Sequence, residues 1–162
     1  MNERDGAGNS FRELMGHFPS GLTIVTGLDK GAPTGFTCQS FFSVSLTPEL
    51  VAFSVRKESA TFPALRAGGR WAVNVLSAAQ VRIGHAFGRP GDRFAGVAWR
   101  PGLRTDCPIL DGSLAWMECV AHTEVAAGDH DIVISRVVNH GVGEGFPLLY
   151  FKGRYAHLDP VS

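Results

Sequence analysis

The sequence predicts a mainly β domain, an antiparallel barrel or sandwich. Segments rich in β-branched and aromatic residues form about seven strand patterns against two or three short helical ones. Turn signals recur roughly every ten residues, the spacing of all-β barrels and sandwiches. No repeat, linker or low-complexity segment divides the 162 residues, and 44% hydrophobic content is enough for one core. A polar, Gly-rich tail over residues 1–9 is expected to be flexible, and residues 10–162 to form a single domain.

The elements follow in order. Ser10 suits an N-cap, with Glu13 as its capping-box partner, for a helix from Phe11 to about Phe18 whose apolar side is Phe11, Leu14, Met15 and Phe18. Pro19-Ser20-Gly21 ends it, and Leu22–Thr26 reads as a strand. The turn Asp29–Pro33 leads into Gly35–Ser45, predicted as one strand in a hairpin with the first. After Thr47-Pro48-Glu49 comes Leu50–Val55, a strand apolar enough to be buried on both faces. Ser59 to Arg66 has helical periodicity; Ser59 or Thr61 suits its cap, Pro63 its first turn, and Gly68-Gly69 its stop. Trp71–Leu76 is the next strand and Ala78–Phe87 the next helix. Gly88–Gly96 is a charged, Gly-rich loop, long enough to suggest a function. Val97–Arg100 reads as short and extended and Pro101–Pro108 as loop; three long strand patterns follow, Ser113–Val125, Asp131–Val142 and Pro147–Leu158. Gly128-Asp129-His130 is a tight turn that delivers a histidine to a strand start.

Bulk properties exclude several classes. Formal net charge is zero, so nothing marks a nucleic-acid surface. No apolar run approaches the roughly 18–20 residues that span a bilayer, and the polar N-terminus has no signal-peptide core. The three cysteines, Cys38, Cys107 and Cys119, read as free thiols of a reducing, cytoplasmic setting rather than a disulfide framework. No metal site is expected, because the histidines are scattered without ligand spacing. No P-loop and no G-x-S-x-G elbow occurs, and Gly141–Gly145 has the wrong spacing for a Rossmann turn.

Three segments carry polar chemistry. Thr37-Cys38-Gln39-Ser40 has small and hydroxylated residues on a strand; that is either an edge open to a flat polar ligand or an ordinary polar strand face. Ser54 to Thr61 brings hydroxyls and the cations Arg56 and Lys57 to a helix start, which suits a phosphate or, equally, a capped helix beside solvated charges. His130 is placed by its turn either to serve a ligand or to face solvent. Nothing beside Cys38 would activate it as a nucleophile.

Taken together these pieces resemble the short-chain flavin reductases, the reductase components of two-component flavin monooxygenases. The marks run in order through Phe18–Thr26, Gly35–Phe41, Ser43–Ser45, Ser59–Thr61, Ala72–Leu76, Gly128–Ile134 and Pro147–Phe151. No single mark is specific, but the ordered set is. The resemblance implies an FMN-binding split β-barrel of Greek-key type that forms a homodimer. It places Thr37, Cys38, Gln39 and Ser40 against the flavin ring and ribityl chain, and Ser54, Val55, Arg56, Ser59 and Thr61 on the phosphate side. Phe87, Arg93 and Phe94 would lie near the flavin or its adenylate tail, and His130 near the nicotinamide. The implied activity is hydride transfer from NADH or NADPH to FMN or FAD, with reduced flavin supplied to a partner monooxygenase. A barrel that holds FMN as a prosthetic group without exporting it is the alternative. Two departures stand out: the family usually has alanine and serine at Cys38 and Gln39, and glycine at Ser135.

Overall fold

The computed structural model describes residues 3–158, with side chains from residue 10. Helix α1 (Glu3–Gly16) leads to β1 (Ser20–Gly21), β2 (Thr23–Asp29), β3 (Ala32–Cys38), β4 (Phe42–Leu46) and β5 (Glu49–Arg56). Helix α2 (Phe62–Gly68) and β6 (Arg70–Val75) follow, then a 3-10 turn (Ala78–Gln80) that continues into α3 (Val81–Phe87). The rest is strand: β7 (Trp99–Pro101), β8 (Pro108–Leu110), β9 (Ala115–Ala127), β10 (His130–Val142), β11 (Leu148–Phe151) and β12 (Arg154–His157).

One antiparallel sheet of seven strands runs in the order β3-β2-β6-β9-β10-β5-β4. It curls until Phe36 of β3 packs on Phe53 of β5, with ring centroids 6.1 Å apart. No ladder joins β3 to β5 among the described residues, so the barrel is closed by side chains along a seam. This is a mainly β, antiparallel split barrel, as the resemblance implies.

Alternating burial along the strands builds two apolar layers. Inside the barrel Phe53 meets Phe62 and Trp71 edge to face, each pair with centroids 5.9 Å apart. Ser135, the departure from glycine, lies fully buried here, and its Oγ accepts the Trp71 indole N–H at 3.0 Å. Without that hydroxyl the buried indole N–H would go unpaired. Outside the barrel, Leu22, Ile24, Leu76, Phe87, Leu110 and Leu148 pack α3 and the β11–β12 hairpin on the sheet. A polar knot fastens β8: buried Asn74 donates to Ile24 O and accepts from Leu110 N–H, while Thr26 Oγ1 donates to Pro108 O.

Several expectations are corrected. The Gly35–Ser45 stretch is two strands on opposite sides of the seam, interrupted at Gln39–Phe41. The Pro147–Leu158 pattern is a hairpin, turned at Lys152-Gly153 with φ of 49° and 77°. Strand β8 starts at Pro108, the last residue of the predicted loop, and runs on to Leu110, because Asn74 supplies an anchor that short-range sequence does not reveal. Helix α1 starts at Glu3, inside the expected tail, and stops at Gly16, so Ser10 is interior and caps nothing. Helix α2 begins at Phe62, and the Ala78–Phe87 helix starts with a 3-10 turn.

Candidate functional site

The seam opens into a cavity of ≈ 830 Å3. Its walls bring together Thr37, Cys38, Gln39, Ser40, Ser54, Val55, Arg56, Ser59, Thr61, Arg93 and His130, eleven of the residues singled out from sequence. Phe87 is 2% exposed, packs beneath Gly35, and does not line it. Phe94 lines a smaller adjoining cleft with Pro33, Thr34 and Gly35. Sequence reasoning missed Leu22, Phe36, Glu58, Ala60, Gly88, Tyr150 and Tyr155 on the cavity wall. Tyr150 and Tyr155 are register partners in the β11–β12 hairpin, with centroids 5.7 Å apart. The Lys152-Gly153 turn was the available signal for them.

Hydrogen bonding separates the hydroxyls that hold the fold from those left for a ligand. Ser40 Oγ accepts from Ser54 N–H at 2.8 Å and donates to Ser54 O at 3.2 Å. It thus stands in for the missing ladder between β3 and β5. Ser59 Oγ accepts the Phe62 N–H at 3.1 Å, so Ser59 caps α2 and Thr61 does not. Thr61 Oγ1 accepts from Arg93 at 3.1 Å, and the same guanidinium donates to Gly35 O at 2.7 Å, tying the 88–96 loop to the cavity rim. A hydroxyl that accepts keeps its own hydrogen, so Ser59 and Thr61 still offer donors toward the cavity. Thr37 Oγ1 is buried and has no partner. A buried hydroxyl in that state costs free energy unless a ligand completes it.

The Gly128-Asp129-His130 turn is fastened to the end of β5. Lys57 N–H donates to Asp129 O at 3.1 Å and Lys57 Nζ to Gly128 O at 2.7 Å. The Lys57 ammonium therefore holds a turn, whereas Arg56 lines the cavity. His130 Nδ1 lies 2.7 Å from Asp129 Oδ1. The hydrogen bond from His130 holds the Asp129 carboxyl below the usual carboxylate range.

All three thiols are buried. Burial pushes the Cys38 thiol up against weaker opposing bonds from Ser40 and Thr23, and it takes Cys119 to about 12. Cys38 is thus a neutral, small wall residue rather than a nucleophile.

This chemistry accommodates a flavin nucleotide. Thr37 lines the cavity, and its hydroxyl has no partner in the fold. The Ser59 and Thr61 hydroxyls and the Arg56 guanidinium suit a phosphate, and the volume leaves room for a second ring.

Comparisons with known proteins agree. The flavin reductase like domain family matches residues 15–159. The reductase subunit HsaB of a flavin-dependent monooxygenase from Mycobacterium tuberculosis is 37% identical over 155 residues, covering 93% of this chain and 82% of that one. Nitrilotriacetate monooxygenase component B from Mycobacterium thermoresistibile superposes with a TM-score of 0.93 at 38% identity, over 97% of this chain and 89% of the other. The NADH:FAD oxidoreductase SgcE6 of Streptomyces globisporus does so with a TM-score of 0.88 at 32% identity, over 99% and 97%.

Proposed function

Because the chain belongs to the flavin reductase family, we propose that its seam cavity binds a flavin beside a reduced nicotinamide nucleotide, accelerates hydride transfer between them, and releases reduced flavin to a partner monooxygenase. The observation that carries this is the cavity wall itself, where one unpaired buried hydroxyl, two hydroxyl donors and an arginine line a space large enough for two stacked rings.

The bound flavin supplies the hydride acceptor. The chain's own residues supply position and exclusion of water. Thr37 donates to the ring's polar edge, and Ser59, Thr61 and Arg56 hold the phosphate. Cys38, Val55 and Phe36 give the ring an apolar bed, and the unpaired backbone of β3 faces it with amide donors. His130, the register partner of Arg56, orients the nicotinamide. Arg93 holds the loop over the rim; the adjoining cleft it shares with Phe94 suits the outer half of FAD.

Residues 10–162 form one flavin reductase-like domain in this reading, and the protein works in the cytoplasm as a homodimer. No helix among the described residues is long and apolar enough to cross a membrane. An exposed apolar groove on the sheet favours the dimer: Leu46 and Val142 line it together with Trp116 and Val137.

The test is absorbance at 340 nm with purified protein, NADH or NADPH, and excess FMN or FAD. Flavin-dependent loss of the reduced nucleotide is expected, and the four combinations rank the substrates. Flavin binding without any nucleotide oxidation would leave a flavin-holding barrel instead.

A further inference from the structure

We propose that Asp129 is a positioning residue for the reductase reaction: it fixes the His130 imidazole with hydrogen on Nδ1, so that Nε2 is the ring edge offered to the carboxamide of the nicotinamide. The proposal rests on the reductase reading above. Three observations carry it.

First, the contact is short and charge-assisted, with His130 Nδ1 2.7 Å from Asp129 Oδ1. A carboxylate only accepts, so Nδ1 holds the hydrogen. Second, the two side chains differ in surroundings. The Asp129 side chain is 92% exposed whereas that of His130 is 34% exposed and lines the cavity. The nitrogen turned to Asp129 therefore points to water, and the opposite ring edge is the one left for a ligand. Third, the turn is held independently of this contact by the two Lys57 bonds and by Gly128 at φ 62°. Asp129 thus acts on the ring and not on the turn. Arg56 faces His130 across the β5–β10 register, and Glu58 lines the same cavity.

An unprotonated Nε2 accepts a hydrogen bond from the carboxamide N–H2, which orients the nicotinamide face without transferring a proton. With hydrogen on Nε2 instead, the ring would donate, and the carboxamide would have to turn its oxygen rather than its N–H2 toward it. The Gly-Asp-His order thus places the orienting group directly beside the ring it orients.

The test uses the intact protein labelled with 15N-histidine, with the His130 resonances assigned by their loss in His130→Ala. Long-range 1H–15N correlation at about pH 8.5, above the imidazole range, is expected to show hydrogen on Nδ1 in the wild type. In Asp129→Ala hydrogen is expected to move to Nε2, whereas Asp129→Asn, which keeps an acceptor oxygen, retains the Nδ1 form. KM for NADH is expected to rise about three- to tenfold in Asp129→Ala with kcat changed less, the scale of one hydrogen bond, and to recover partly in Asp129→Asn. A wild type with hydrogen on Nε2, a ring state untouched in Asp129→Ala, or a KM within twofold of wild type would each overturn the proposal. If the wild type holds the Nδ1 form but oxidises no NADH with either flavin, the reductase reading is what fails, and the role of Asp129 falls with it.

Discussion

Thr37 carries a buried hydroxyl with no partner, which makes opposite demands on the empty and the loaded protein. Thr37→Val keeps the shape and removes the oxygen. The empty protein is expected to gain up to roughly 1 kcal/mol, read as a higher Tm, while flavin affinity falls about three- to tenfold by fluorescence titration. A Tm and an affinity that drop together would mean that the hydroxyl has a partner within the fold. At this scale the sequence was legible wherever chemistry is local. Hydroxyls and Arg56 on segments predicted to be open do line the cavity. What was not legible is which hydroxyls remain available. Ser40 and Ser54 look alike in sequence, yet Ser40 Oγ closes the seam through bonds to the Ser54 backbone. Lys57 resembles a phosphate ligand until its partner, Gly128 O, is seen 71 positions away. Such assignments are decided by partners that no local pattern names.

Among elements, the break between β3 and β4 shows why strand patterns misled. Gln39-Ser40-Phe41 contains no glycine or proline, so nothing local punctuates it. The chain leaves one edge of the sheet there and joins the other because the barrel must close, a tertiary demand on a sequence that would also accept a continuous strand. Other elements were readable: Gly69 stops α2 at φ 63°, as the glycine pair predicted. The 102–107 segment depends on Glu118 of β9, which is fully buried. Burial alone pushes this carboxyl up. Bonds from Asn139 Nδ2, from the Arg104 and Thr105 N–H groups and from the Thr105 hydroxyl outweigh it, and the net direction is down. A carboxyl lowered in the folded state adds stability above its unfolded value of 4.5, and loses it as pH falls through the folded value. Glu118→Gln puts an amide donor against donors. It is expected to cost about 2–4 kcal/mol at pH 7, and the gap in denaturant midpoint should narrow as pH falls below 4.5 and close once pH passes below the lowered folded value. A gap independent of pH would show that shape, not charge, holds the segment.

For the whole molecule, the homodimer that the resemblance implies is proposed to form through the exposed groove lined by Leu46 and Val142. Leu46 and Val142 are each 87% exposed, so Leu46→Asp with Val142→Asp strains no packing. Light scattering is expected to give twice the chain mass of 17.4 kDa for the wild type and one chain for the double variant. A wild-type monomer would remove the dimer. The order of the strands was out of reach from sequence, since antiparallel neighbours far apart in the chain, such as β2 with β6 and β5 with β10, are chosen by closure of the barrel. The burial of all three thiols has a practical side. In the native protein a cysteine introduced on the surface becomes the one fast-reacting thiol. A dye attached there, for instance at Glu144 away from the cavity wall, would report encounter with an oxygenase without first stripping the natural cysteines from the core.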